Sequence, residues 1–198
     1  MDPEIRALAD RFIYEQATLK HIATLAGNEG LQRPVPGYAW NVGQLLAHLA
    51  NSLSAYGEVV ERWLAGEEPL TGFEPPEINA RTAEEHATTS VPRLHELFGA
   101  GLVRLVGALL RVPGERLDDD LGPATARQLL RTPSRHALHH AIPLIDALPE
   151  ARLDPLVLNW LLYADFDDEA SKAWQAKLLA DAREYLASHP REDEEDDE

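Results

Sequence analysis

Along almost the whole chain apolar residues return every three or four positions, and strict alternation is scarce. That period is helical, because positions i, i+3, i+4 and i+7 share one face of an α-helix. In the first segment Ile5, Leu8, Phe12, Leu19 and Ile22 share a side. Asp2 is placed to cap this helix, Pro3 suits its first position, and Gly27 follows its last residues Leu25-Ala26. A loop with Pro34 and Pro36 comes next. The second helix opens at Trp40-Asn41-Val42-Gly43-Gln44, with Asn41 as cap and Gln44 completing a variant of the capping box. Its apolar stripe includes Leu45, Leu49, Leu53, Tyr56, Val60 and Trp63, and it runs to Leu64-Ala65 before Gly66.

Residues 67–76 contain three prolines and predict a loop, followed by a short helix from about Glu77 to Ala87. Ser90-Val91-Pro92 opens a third long helix that reaches Leu110-Arg111 before Pro113-Gly114. Residues 112–131 predict mostly loop, with a single helical turn over 124–130. Thr132-Pro133 reads as cap and first position of a fourth long helix, from Pro133 to Leu148. Asp154-Pro155 opens a further helix to about Tyr163, and Asp167 or Asp168 another that ends near Ser188-His189-Pro190. The whole predicts an all-α protein: an up-down four-helix bundle with a core over 3–148 and additional C-terminal helices over 154–188. The connection between the second and third long helices is longer than a minimal hairpin requires.

Composition narrows the function. The chain has 198 residues, a length suited to one helical domain over 1–188. Its formal net charge is -16, and the seven residues 192–198 are all acidic. Residues 189–198 therefore predict a disordered acidic tail, because such a run repels itself and buries nothing. An acidic surface argues against nucleic acid as a partner, since phosphates need clustered lysine and arginine. There is no cysteine, which excludes disulfides, thiolate ligands and a cysteine nucleophile. No segment has the length of a membrane span, and the start MDPEIRALADRF is too charged for a signal peptide, so the cytoplasm is the expected compartment.

Three of the eight histidines, His136, His139 and His140, fall within five positions of the fourth long helix. His136 and His140 are four apart and share a face, with Cβ atoms about 5–6 Å from each other. Such a pair forms half of a metal site, or packs, or responds to pH. His48 lies at the border of the apolar stripe of the second helix. A neutral imidazole facing a bundle interior must place both ring nitrogens. A metal ion takes one and a carbonyl or carboxylate the other. His139 competes with His140 as a ligand. Pro143, one turn on, removes a backbone donor and predicts a bend. Asp146 and Glu96 are carboxylates able to orient ligands, whereas Asp118, Asp119 and Asp120 lack the spacing of a calcium loop and read as a solvated turn.

The stretches WNVGQLLAHLANSLSAY, INARTAEEH and HALHH together resemble the DinB-like (YfiT-like) family, over roughly residues 5–148. The resemblance implies a four-helix bundle in which His48, His136 and His140 bind a divalent ion, zinc or nickel. It also implies a metal-dependent thiol S-transferase that uses a low-molecular-weight thiol such as mycothiol or bacillithiol. The mycothiol-dependent maleylpyruvate isomerases are relatives, and a homodimer is part of the same expectation. Three imidazoles leave a fourth position open to water or a thiol, whose pKa the ion lowers. With no cysteine in the chain, the sulfur must come from a small molecule. A thiol bearing carboxylates would want cations nearby, and Arg127, Arg131 and Arg135 are the candidates; the alternative for them is a solvated basic face. Three alternatives to the transferase remain: a non-catalytic metal-binding or stress-associated scaffold, a helical interaction module with no metal, and a metal-dependent hydrolase.

Overall fold

A computed structural model describes residues 2–69 and 75–189. The predicted loop over 67–76 lies partly outside the described residues, and the acidic tail beyond His189 lies outside them entirely. Within the described residues the secondary structure is helical throughout: α1 Pro3–Gly30, α2 Val42–Leu64, α3 Pro75–Glu85, α4 Val91–Leu109, α5 Ala126–Asp146, α6 Pro155–Leu162 and α7 Glu169–Ser188. At Asp2, Asn41, Ser90, Asp154 and Asp168 the caps are those the sequence predicts. Asp2 Oδ1 accepts from the Glu4 amide at 2.8 Å, and Asp154 and Asp168 cap α6 and α7 in the same way. At α2 the capping box is complete, with Gln44 N to Asn41 Oδ1 and Asn41 N to Gln44 Oε1 both 2.8 Å.

The bundle comprises α1, α2, α4 and α5. Each packs on two neighbours, in the ring order α1, α4, α2, α5. Two helices run each way. Glu58 and Glu61 of α2 pair with Arg104 of α4, and Glu61 also with Arg111, so α2 and α4 are parallel. On α1, Glu4 meets Arg127 and Arg131 of α5 while Glu15 meets Ser134, so α1 and α5 are parallel too. The long α2–α4 connection, which carries α3, is what permits a parallel pair. Close contact between α2 and α4 depends on Gly57 and Gly101: a Cβ on Gly101 would lie 2.7 Å from the Ala50 carbonyl oxygen.

Two buried clusters fill the bundle. One end packs Ile5 and Phe12 against Trp63, Leu105, Leu109 and Leu130. The other packs Leu45, Leu46 and Leu49 against Phe98, Leu138 and Leu144, and takes in Val157, Trp160 and Phe166 of the C-terminal extension. Trp160, Phe166 and the partly buried Trp174 thus pack on the bundle core, whereas Tyr163 is exposed.

Two helix boundaries differ from expectation. α1 does not stop at Gly27; that residue adopts φ 58° and the helix resumes for one more turn. α5 begins at Ala126, not at Pro133, and runs through Pro133 and Pro143. Its cap is Thr125, which forms a full capping box with Gln128. That box and the burial of Ala126 and Leu130 offset the cost of an interior proline, about 3 kcal/mol.

Candidate metal centre

The opposed directions of α2 and α5 bring the second turn of α2 against the middle of α5. His48 Nε2 lies 2.9 Å from His136 Nε2, and His140 Nε2 lies 3.1 Å from His136 Nε2. One ligand nitrogen from each of the three falls within 4.8 Å of the others. Two imidazole nitrogens held about 2.0–2.1 Å from one tetrahedral ion stand ~3.3 Å apart, so the donor set fits a single divalent cation. His48 and His140 are buried and His136 is half-buried.

The loop between α1 and α2 completes the first layer of contacts. It is cinched by Val35 N to Trp40 O (3.0 Å) and Val42 N to Arg33 O (2.9 Å). This folds Tyr38 and Trp40 over the histidines. The Tyr38 hydroxyl is 2.9 Å from His140 Nδ1, and the Trp40 ring centroid is 5.1 Å from that of His48. From α3, Asn79 faces the same cavity as His48. Tyr56 presents its ring at a steep angle to His136, 6.2 Å between centroids.

Burial first, and the neighbouring imidazoles second, push His140 down to about 3 and His136 to about 4. Burial lowers His48 as well, against an opposing effect of the Asn79 side chain. All three rings are therefore neutral at pH 7, the state in which an imidazole offers a lone pair. Beside them opens a cavity of about 550 Å³, walled by Tyr38, Trp40, Tyr56, Asn51, Asn79 and Thr82 among others.

His139 borders the cavity but is exposed, and the three-nitrogen cluster uses His140. The three arginines lie elsewhere. Arg127 pairs with Glu4 and Asp118, Arg131 with Glu4, and Arg135 stands 3.9 Å from Asp167; none lines the histidine cavity. Asp146 pairs with Arg152, Glu96 with Arg93, and His21 with Asp154, all away from the centre. The aspartate run is a structural turn: Asp119 accepts from Trp63 Nε1 and Arg116, and Asp120 from the Gly122 amide. Sequence reasoning does not single out Tyr38. Its only signal is a tyrosine two residues before a tryptophan in a short proline–glycine loop just ahead of a capped helix.

Fold and site together define a class: DinB-like helical bundles with a pocket of three histidines between the second and last bundle helices. The family described as "Mycothiol maleylpyruvate isomerase N-terminal domain" matches residues 15–147, well over half the chain, and the chain belongs to it. Among solved structures, the mycothiol-dependent maleylpyruvate isomerase superposes with a TM-score of 0.60 at 18% identity, over 79% of this chain and 67% of that one. A histidine-to-alanine mutant of a mycothiol-dependent maleylpyruvate isomerase gives 0.55 at 17% identity with the same coverage. At such identity the likeness is one of fold. No match was found among curated proteins.

Proposed function

We propose that the chain is a divalent-metal-dependent transferase that activates a low-molecular-weight thiol, of the mycothiol or bacillithiol type, for conjugation or isomerisation. The convergence of three neutral imidazoles at the edge of a cavity carries this reading. His48, His136 and His140 would hold the ion, zinc or nickel, through Nε2. When bound, the ion would supply Lewis acidity that makes a thiol acidic at neutral pH. Tyr38 holds the His140 ring, so this ligand is oriented before binding. Trp40 and Tyr56 keep water from part of the site. Family membership and the absence of cysteine from the chain both favour an external thiol.

A purely structural metal would have its fourth position closed by a protein ligand. Among the described residues the histidine, cysteine and carboxylate cluster stops at three members, which favours the enzyme over the scaffold. Elemental analysis of the purified protein tests the reading. About one zinc or nickel per chain is expected, with loss of that metal in His48→Ala and of thiol consumption with it. A His48→Ala protein that keeps stoichiometric metal would refute the three-histidine site.

A further inference from the structure

The cavity beside the histidines is walled by three aromatic rings, Tyr38, Trp40 and Tyr56, and by neutral amide and hydroxyl groups of Asn51, Asn79 and Thr82. Among the described residues no arginine, lysine, aspartate or glutamate lines it. The basic residues of α5 are committed to Glu4, Asp118 and Asp167 on another face. Residues 70–74, which lead into α3, contain no lysine or arginine in the sequence. The chain as a whole carries a formal charge of -16.

An anion entering such a space gives up its water and meets no arginine or lysine in return; besides the three clustered histidines only His139, exposed at the edge, offers an imidazole. A divalent ion brings two positive charges, of which a thiolate meets one. A dianion would still be undercompensated. An uncharged molecule with a flat apolar body loses little hydration and meets ring faces and edges suited to stacking. We propose that the electrophile taken by this cavity is uncharged and flat, with any carboxyl groups absent or esterified, and that dicarboxylates are rejected. The inference rests on the thiol-transfer reading for its chemistry but on the cavity walls for its selectivity. With an activated alkene, the sulfur bonds to the β-carbon, the π pair moves to the α-carbon, and the thiol proton ends there. Nothing is oxidised or reduced.

Dimethyl benzylidenemalonate and the benzylidenemalonate dianion share one skeleton and differ in charge, so they form a suitable pair. Calorimetric titration of the metal-loaded full chain is expected to show the diester binding at least about tenfold more tightly. With mycothiol added, the rate over the uncatalysed reaction is expected to favour the diester by a similar factor. Equal or tighter binding of the dianion overturns the proposal, and so does binding of neither at millimolar concentration. Preference for the diester without any thiol adduct supports the selectivity and removes the thiol-transfer reading instead. Ala55→Arg places a cation on the cavity wall and is expected to narrow or invert the preference; an unchanged ratio overturns the proposal.

Discussion

On one side of α5, Glu4 meets Arg127 and Arg131, Glu15 meets Arg11 and Ser134, and Arg135 reaches toward Asp167. On the other side, His136 and His140 meet His48, with Tyr38 behind them and no charged side chain on the cavity wall among the described residues. The first face satisfies itself. Glu4, Glu15 and Asp167 each have a guanidinium within ion-pair distance. The second face does not. Three nitrogens point at one small volume, and neutral imidazoles so arranged cannot all find protons and lone pairs in register. A cation at that point would resolve the conflict. The same helix thus carries a polar cluster that is complete as built and another whose geometry calls for a ligand.

Acid should separate the two faces most strongly in metal-free protein. His136 and His140 are depressed to about 4 and about 3 in the folded state, while the unfolded chain protonates near 6.5. Below that value the unfolded state takes up protons that the folded state refuses. Their neutral burial therefore costs no proton-linked stability above about pH 6.5, and stability falls as pH drops from there toward 4. The expected loss approaches 1.4 kcal/mol per pH unit for each imidazole, several kcal/mol in all. Chemical denaturation at pH 7, 6 and 5 measures it. His140→Gln should show a shallower slope, and an identical slope would mean that the ring is not held neutral.

The self-satisfied face should instead respond to loss of a partner, and only in stability. Ser134 is buried and its hydroxyl donates to Glu15 Oε2 at 2.7 Å. Ser134→Ala leaves the buried carboxylate one donor short, at a cost of about 2 kcal/mol. The melting temperature should fall while metal content stays unchanged. A matching loss of metal would show that the two faces are coupled through α5.

The sequence carries much of this difference. Helix periodicity and the caps Asp2, Asn41, Ser90, Asp154 and Asp168 are local signals, and the structure uses all of them. The meeting of His48 with His136 and His140 is legible because helical spacing fixes one pair and the family resemblance supplies the third. The start of α5 is not legible in the same way. Thr132-Pro133 has the local form of a helix start, yet the Thr132 hydroxyl bonds back to the Gln128 carbonyl inside a helix already under way. Burial of Leu130 decides the matter, and burial is a tertiary fact. The arginines mislead for a related reason. Their nearness to His136 in sequence says nothing about azimuth around α5, and Arg131 and Arg135 turn toward Glu4 and Asp167.

Tyr38 offers a finer cut on the histidine face. Its hydroxyl lies 2.9 Å from His140 Nδ1 without belonging to the three-histidine cluster. Tyr38→Phe keeps the ring and removes that bond. Metal affinity is expected to fall about tenfold or somewhat more, the usual effect of losing such a support, with little change in folding. Competition with a chelator of known affinity reads this directly, and an unchanged affinity would mean that the His140 ring needs no brace.

Arg131→Ala should have the smallest effect. Arg131 Nη2 lies 3.0 Å from Glu4 Oε1, but the arginine side chain is 54% exposed. Water and salt screen such a pair, and holding two long side chains together costs entropy. Glu4 also keeps its contact with Arg127. The expected loss is at most about 0.5 kcal/mol, shrinking further in high salt. Metal content and thiol activity should not change, because the guanidinium faces α1 and not the cavity. If Arg131→Ala instead raised the KM for the thiol, the ion-pair face would be part of the binding site after all, and the division of α5 into a complete face and a ligand-seeking one would fail.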